Sequence, residues 1–275
     1  MNEPHTIAVE FKQVSKSFGT QRVLNDVSFR LEQGQALCVL GRSGTGKSVT
    51  LKLIMALIRP DSGEIWVDRE NVVGMGEHGL SSVRKKLGYL FQDAALFDSF
   101  TLYENLALPL VRLTKKSKDE INELVQQTLT DVGLGAHGNK YPSALSGGMR
   151  KRAGLARALV LGPKILLADE PSSGLDRITA SEIDELLMRR RDEYGTALVI
   201  VSHDIHGVRR VADRVAVLDK GCIVAFGSVE EVSQSENSVA RRLVTECINV
   251  ETKCCCRSFY HRRPDIVRPR DPPDR

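Results

Sequence analysis

The run QALCVLGRSGTGKSVTL, residues 35–51, changes character twice. Ala36 to Leu40 are uniformly apolar and end on Gly41; Gly41, Gly44 and Gly46 space a short loop; Lys47 and Ser48 then open a stretch of helical character. Strand, glycine-rich loop and helix in that order form the P-loop pattern. Each part has a physical task. Glycines let backbone N–H groups along Gly41, Arg42, Ser43, Gly44, Thr45 and Gly46, and on through Ser48 and Val49, wrap the phosphates of a nucleotide, and a helix N-terminus favours their negative charge. Lys47 is placed to reach the β and γ oxygens, and the Ser48 hydroxyl to ligate Mg²⁺. A chance glycine turn before a helix is the competing reading.

Two further apolar runs end in reactive side chains. ILLADEP, residues 165–171, has the uninterrupted apolar stretch of a central buried strand and closes on Asp169 and Glu170. Asp169 is placed to hold Mg²⁺, and Glu170 to orient and deprotonate an attacking water. The alternative is that this acid pair simply caps the next helix. ALVIVSHD, residues 197–204, closes on His203 in the same way, and Gln92 follows LGYLF with a carboxamide that can accept from water or coordinate Mg²⁺ but cannot act as a base. In open α/β sheets ligands bind outside the carboxyl ends of the strands, where Gly41, Asp169 and His203 would emerge together. The other histidines, His5, His78, His137, His206 and His261, have no such placement.

Around these anchors, residues 7–40 alternate short apolar runs with turns and read as a small, mostly antiparallel β region. A helical run covers Lys47 to Ala56, and residues 101–134 carry helical periodicity with Leu106, Leu110, Ile121, Leu124 and Leu129 on apolar faces. Beyond residue 160 strands and helices alternate, with a helix from about Ile178 to Tyr194, which argues for a parallel sheet covered by helices.

One stretch resists a purely structural explanation. LSGGMRKRAGLARA, residues 145–158, opens a helix with two adjacent glycines, although glycine costs about 1 kcal/mol against alanine in a helix interior. With SSGLD ending at Asp176, Gln92, His203 and the two strand-end motifs, the stretch completes an ordered set over residues 7–230 that resembles the ATP-binding cassette (ABC) ATPase family. The resemblance implies an α/β fold: a P-loop NTPase (RecA-like) parallel-sheet core with an N-terminal antiparallel β subdomain and a helical signature subdomain at about 95–160. It implies ATP and Mg²⁺ as cofactors and Phe18 as the aromatic stacked on adenine. It further implies a homodimer paired head to tail, each ATP lying between one P-loop and the partner's Ser146, Gly147 and Gly148, with Asp176 at the same interface. The glycines would then leave room for the γ-phosphate. Arg150, Lys151, Arg152 and Arg157, next on the same helix, read as a solvated basic face with some ion pairs.

The finer wording, Met149 after the glycines, FQDAALFDSFTLYENLALPL and MRKRAGLARAL, looks like the ATPases of the Mla-type phospholipid transporters of the Gram-negative envelope. Those work with an integral membrane permease and an Mce-domain lipid-binding protein, the ATPase lying peripherally on the cytoplasmic face of the inner membrane. Residues 93–110, with a contact around Ala94–Leu110, are the expected permease surface, exposing Leu96, Phe97, Phe100, Leu102 and Tyr103, about half of which would instead pack inward. Another cargo, such as an amino acid, a metal chelate or a lipoprotein, remains the alternative; a non-transport ABC protein would carry two cassettes or a long coiled-coil insertion, and neither is present.

Length and composition fit a globular protein of one large domain or two small ones, and the resemblance implies a single ATPase domain over 1–250. With 27% charged residues and a net charge of +4, the composition gives no argument for nucleic acid. No apolar run is long enough for a membrane span, and the N-terminus lacks a secretory pattern. The six cysteines, with Cys254–Cys256 contiguous, suit a reducing compartment better than a disulfide framework. Residues 251–275 hold seven Lys or Arg against four Asp or Glu and read as a basic, flexible tail.

Overall fold

A computed structural model describes residues 6–245. The expected tail 251–275, the boundary before it, His5, His261 and Cys254–Cys256 lie outside the described residues. In chain order the elements are β1 (Ile7–Phe18), β2 (Gln21–Glu32), β3 (Ala36–Leu40), α1 (Lys47–Ile54), β4 (Ser62–Val67), β5 (Glu70–Asn71), α2 (Glu77–Arg84) and β6 (Leu87–Leu90). Then follow α3 (Leu102–Leu113), α4 (Lys118–Asp131), α5 (Gly147–Leu159), β7 (Ile165–Asp169), α6 (Arg177–Tyr194), β8 (Ala197–Ser202), α7 (Ile205–Val211), β9 (Arg214–Asp219), β10 (Cys222–Gly227), α8 (Val229–Ser233) and α9 (Ser238–Thr245).

Among the described residues two sheets share the β content. The first, ordered β2-β1-β4-β5, is antiparallel throughout; the second, ordered β10-β9-β3-β8-β7-β6, is parallel except where β10 folds back on β9. β3 and β8 are buried at every position because α5, α6 and α7 cover one face of the parallel sheet and α1 with the antiparallel sheet covers the other, which is why they read as unbroken apolar runs. Two sequence expectations change here. Ala36–Leu40 belongs to the centre of the parallel sheet, not to the N-terminal β region, and that region consists of two 12-residue strands instead of several short ones. Register shifts along the β1–β2 pair break the period of two, so the long strands resemble short runs in sequence.

The helical subdomain is a separate apolar cluster. Leu102, Leu106 and Leu110 of α3 pack with Ile121, Val125 and Leu129 of α4 and with Ala153 and Ala156 of α5. Capping boxes start α3 at Thr101/Glu104 and α4 at Ser117/Glu120, each satisfying two orphan N–H groups. Leu102 is fully buried in this cluster, and Leu96 and Tyr103 pack against it; of the apolar side chains expected at the surface, Phe97 stays out, 49% exposed, while Phe100 is half-buried. Among the described residues no helix is long and apolar enough to cross a membrane.

Since β3, β8, β7 and β6 are adjacent and parallel, their C-terminal ends share one edge of the sheet. Gly41, His203, Asp169 with Glu170, and Gln92 all lie at that edge.

Candidate nucleotide site

A cavity of about 600 Å³ opens over that edge, lined by Phe18, Val23, Ser43, Gly44, Gly46, Lys47, Ser48, Val49, Gln92, Asp169, Glu170 and His203. The loop after β3 is shaped by its glycines. A Cβ on Gly41 would come within 2.5 Å of the Leu218 carbonyl oxygen, and Gly46, at φ +103°, leaves no space against Val23 and Leu24. Gly44, at φ +80°, has nothing within 4 Å and faces open space. Gly46 caps α1 without a side-chain hydrogen bond, so the first-turn N–H groups of α1 stay available to an anion. The buried Lys47 ammonium lies inside the loop, donating to the Gly41 carbonyl at 2.9 Å and to that of Arg42 at 3.1 Å. The Thr45 hydroxyl also donates to Arg42 O, and Arg42 and Thr45 brace the loop without lining the cavity.

On the opposite wall the Ser48 hydroxyl donates to Asp169 Oδ1 at 3.1 Å. Burial holds the Asp169 carboxyl above the usual carboxylate range, the Ser48 hydrogen bond opposes this, and the neighbouring Glu170 adds to it. Two adjacent acids and a hydroxyl around a phosphate-sized space are a donor set suited to Mg²⁺: hard oxygen ligands, few of them from protein, with excess negative charge to be met. Gln92 reaches the same cavity from β6. Asp169 is therefore no helix cap; that position belongs to Asp176, whose carboxylate accepts from the N–H groups of Ile178 and Thr179.

Glu170 is buried, and its backbone is left-handed at φ +50°, a conformation costing about 1–2 kcal/mol for a residue with a side chain. Its Oε2 lies 2.8 Å from His203 Nδ1, and the His203 side chain is exposed towards the cavity mouth. Burial and the adjacent Asp169 push the Tyr89 phenol well above its ordinary range, which keeps it neutral beneath the acids.

Ser146, Gly147, Gly148 and Asp176 do not line this cavity. The Ser146 hydroxyl caps α5 by accepting from Met149 N. Beyond Gly147 the nearest heavy atom to an added Cβ is Leu175 at 4.0 Å, so that face is open; a Cβ on Gly148 would meet the Thr179 methyl at 2.4 Å. Half of the glycine pair is thus required by packing within the chain. Met149, for its part, packs against the helical cluster.

The supposed basic face is also revised. Lys151 is buried and donates to the Glu170 carbonyl, Arg157 donates to the carbonyls of Ala94 and Ala95, and Arg150 donates to Leu145 O. Only Arg152 keeps a long ion pair, with Glu182 at 3.8 Å. A sequence signal for Lys151 existed: it shares the buried helical stripe with Leu155 and Leu159. Val23 and Tyr89 carried no comparable signal.

The sequence model of the ABC transporter family matches residues 24–173. A probable ribonucleotide transport ATP-binding protein of Mycobacterium leprae is 42% identical over 241 residues, covering 88% of this chain and 70% of the relative. A methionine import ATP-binding protein of Caulobacter vibrioides is 40% identical over 241 residues, covering 86% of this chain and 72% of the relative. Among solved structures, the ATP-binding cassette MJ0796, a dimer in a post-hydrolysis state bound to ADP and Pi, superposes with a TM-score of 0.75 at 32% identity, covering 80% of this chain and 98% of that one. The chain belongs to the ATP-binding cassette family of transporter ATPases. It binds ATP with Mg²⁺ and hydrolyses it.

Proposed function

We propose that two copies of this chain close head to tail on two Mg-ATP and that this closure drives membrane-embedded permease subunits. The observation that supports the reading is the separation of two anion cradles: Gly44 and α1 open into the cavity, whereas Gly147 and the start of α5 open elsewhere. One nucleotide needs only one P-loop, so the second cradle has a use only for a nucleotide held by another copy.

Within each composite site the residues divide the work. Gly41, Arg42, Ser43, Gly44, Thr45, Gly46 and Val49 supply the phosphate loop, Lys47 its positive charge, and Phe18, 49% exposed, the surface for the base. Ser48, Asp169 and Gln92 would hold Mg²⁺, which when bound would neutralise phosphate charge. Glu170 accepts the proton of the attacking water, and His203, hydrogen-bonded to it, orients the carboxylate towards that water. Ser146, Gly147 and the backbone of Gly148, with Asp176 behind them, complete the site from the partner. Glu170→Gln tests this assignment. Mg-ATP should still bind, hydrolysis should fall by about 10²-fold or more, and the chain should accumulate as a dimer; hydrolysis at the wild-type rate would overturn it.

We further propose that the complex lies peripherally on the cytoplasmic face of an inner membrane and moves phospholipid with an Mce-domain partner. Support comes from the Mla-like wording around Gln92 and Met149. The names of the relatives, ribonucleotide transport and methionine import, favour a second reading in which the same machine moves a small polar cargo. Purifying the complex through a tag on this chain separates the two: co-purifying phospholipid and an Mce-domain protein support the first, their absence the second. Phe97, exposed beside the half-buried Phe100, is the side chain best placed for the permease, and Phe97→Asp should weaken co-purification while nucleotide binding stays intact.

A further inference from the structure

Glu170 keeps its left-handed backbone only because something holds it there. Its carbonyl oxygen accepts three hydrogen bonds, from Lys151 Nζ at 2.8 Å, Ser173 Oγ at 3.1 Å and Ser173 N at 3.2 Å, and Lys151 Nζ also donates to Ser173 Oγ at 3.1 Å. Lys151 is 7% exposed, and burial holds its ammonium below the usual lysine range despite the pull of Asp93, Glu170 and Asp169. A lysine that stays desolvated in this way is held by the bonds it makes, since moving away would strand a charge.

Lys151 also has a second address. It stands one turn into α5, the 13-residue helix whose first residues, Gly147 and Gly148, follow the capping Ser146. Helices move as rigid bodies, so a phosphate drawing on the start of α5 displaces the Lys151 ammonium with it. Further along α5, Gly154 and Arg157 fix the left-handed Ala94–Ala95 turn that follows Gln92, so the helix is braced at both ends of the catalytic edge.

We infer that Lys151 is a positioning residue that couples the two nucleotide sites. By fixing the Glu170 carbonyl from α5, it lets occupation of the Ser146–Gly148 cradle by the partner's nucleotide set the Glu170 carboxylate over the chain's own nucleotide. The coupling rests on the head-to-tail pairing proposed above. The site in which Glu170 acts thus learns whether the other site is filled, and hydrolysis rises cooperatively with ATP.

Lys151→Met keeps the length and loses the donor; Lys151→Arg keeps a donor. In the full chain, Lys151→Met should leave Mg-ATP affinity within about twofold and lower kcat by about 10- to 100-fold, the range expected when a catalytic group is misplaced by an ångström. The Hill coefficient for ATP should fall from near 2, the limit for two sites, to about 1, and Lys151→Arg should restore much of both. Ser173→Ala, which removes one of the three bonds, should lower kcat several-fold without altering affinity. Unchanged kcat and Hill coefficient in Lys151→Met, or equal losses in kcat and in Mg-ATP affinity, would overturn the inference. Failure of Glu170→Gln to dimerise on Mg-ATP would instead overturn the pairing; a Glu170→Gln, Lys151→Met double variant that still dimerises confirms that Lys151 acts on Glu170 and not on assembly.

Discussion

The P-loop and the LSGGM loop are both glycine-rich turns at helix N-termini, yet they are finished differently. At the P-loop, Lys47 lies inside the loop, Ser48 and Asp169 stand opposite, and Gly46 leaves the start of α1 uncapped. At the signature loop the Ser146 hydroxyl already caps α5, no lysine enters the turn, and one glycine of the pair is taken up by Thr179. The first cradle has charge, hard oxygen groups suited to a metal, and free donors. The second has only a short row of N–H groups and one open face at Gly147. Such a half-site gains useful affinity only against a phosphate already bound and charged elsewhere, and this is the physical basis for the pairing proposed above.

The comparison can be broken at several points. Glu170→Gln should cause the largest change, about 10²-fold or more in turnover measured by phosphate release, while nucleotide still binds to the intact first cradle. Lys47→Ala should weaken Mg-ATP binding by about 10- to 100-fold in titration calorimetry, the range for losing a hydrogen bond from a charged donor. The glycine pair should divide: Gly148→Ala should cost about 1–3 kcal/mol in denaturant unfolding because its methyl meets Thr179, with part recovered in a Gly148→Ala, Thr179→Ser double variant. Gly147→Ala, facing open space, should change stability little and lower turnover instead. Phe18→Ala should raise the ATP dissociation constant about two- to tenfold, as expected for one stacked aromatic.

A smaller effect lies away from both cradles. Asp184 is buried between α6 and α7, and desolvation, with Asp204 and Glu185 adding and Arg210 opposing, pushes its pKa up to about 6. The folded state therefore binds this proton more tightly than the unfolded chain, whose carboxyl titrates near 3.9, so the buried group costs stability above pH 6 and the cost fades as pH falls towards 4. Asp184→Asn should raise Tm by a few degrees at pH 8 and leave it nearly unchanged at pH 4, in pH-resolved thermal unfolding.

Much of this arrangement was legible in sequence because parallel central strands are buried on both faces and end abruptly. ALCVL, ILLAD and ALVIVS each announce themselves by unbroken apolar residues followed by a functional group. What stayed hidden depended on packing between segments far apart in the chain. β10 pairs back on β9 with a half-exposed pattern, and α2 is short and weakly apolar. Lys151 read as one charge among four until burial distinguished it, and Gly148 offered no sign in sequence of the Thr179 methyl thirty-one residues away. Gly148 thus carries a packing requirement of its own beside the phosphate role proposed for it.

The central claim, that one chain's P-loop and another's signature loop build a single working site, is tested most directly by mixing two inactive variants. Lys47→Ala keeps the signature loop and loses its own nucleotide; Ser146→Arg keeps the P-loop and blocks the second cradle. Each alone should hydrolyse little ATP, and the equimolar mixture should regain turnover above either variant, at about the level of Lys151→Met and below wild type, because a mixed dimer contains one intact composite site whose Glu170 lacks the signal of a second nucleotide. No gain on mixing, or wild-type turnover by Ser146→Arg alone, would contradict the account.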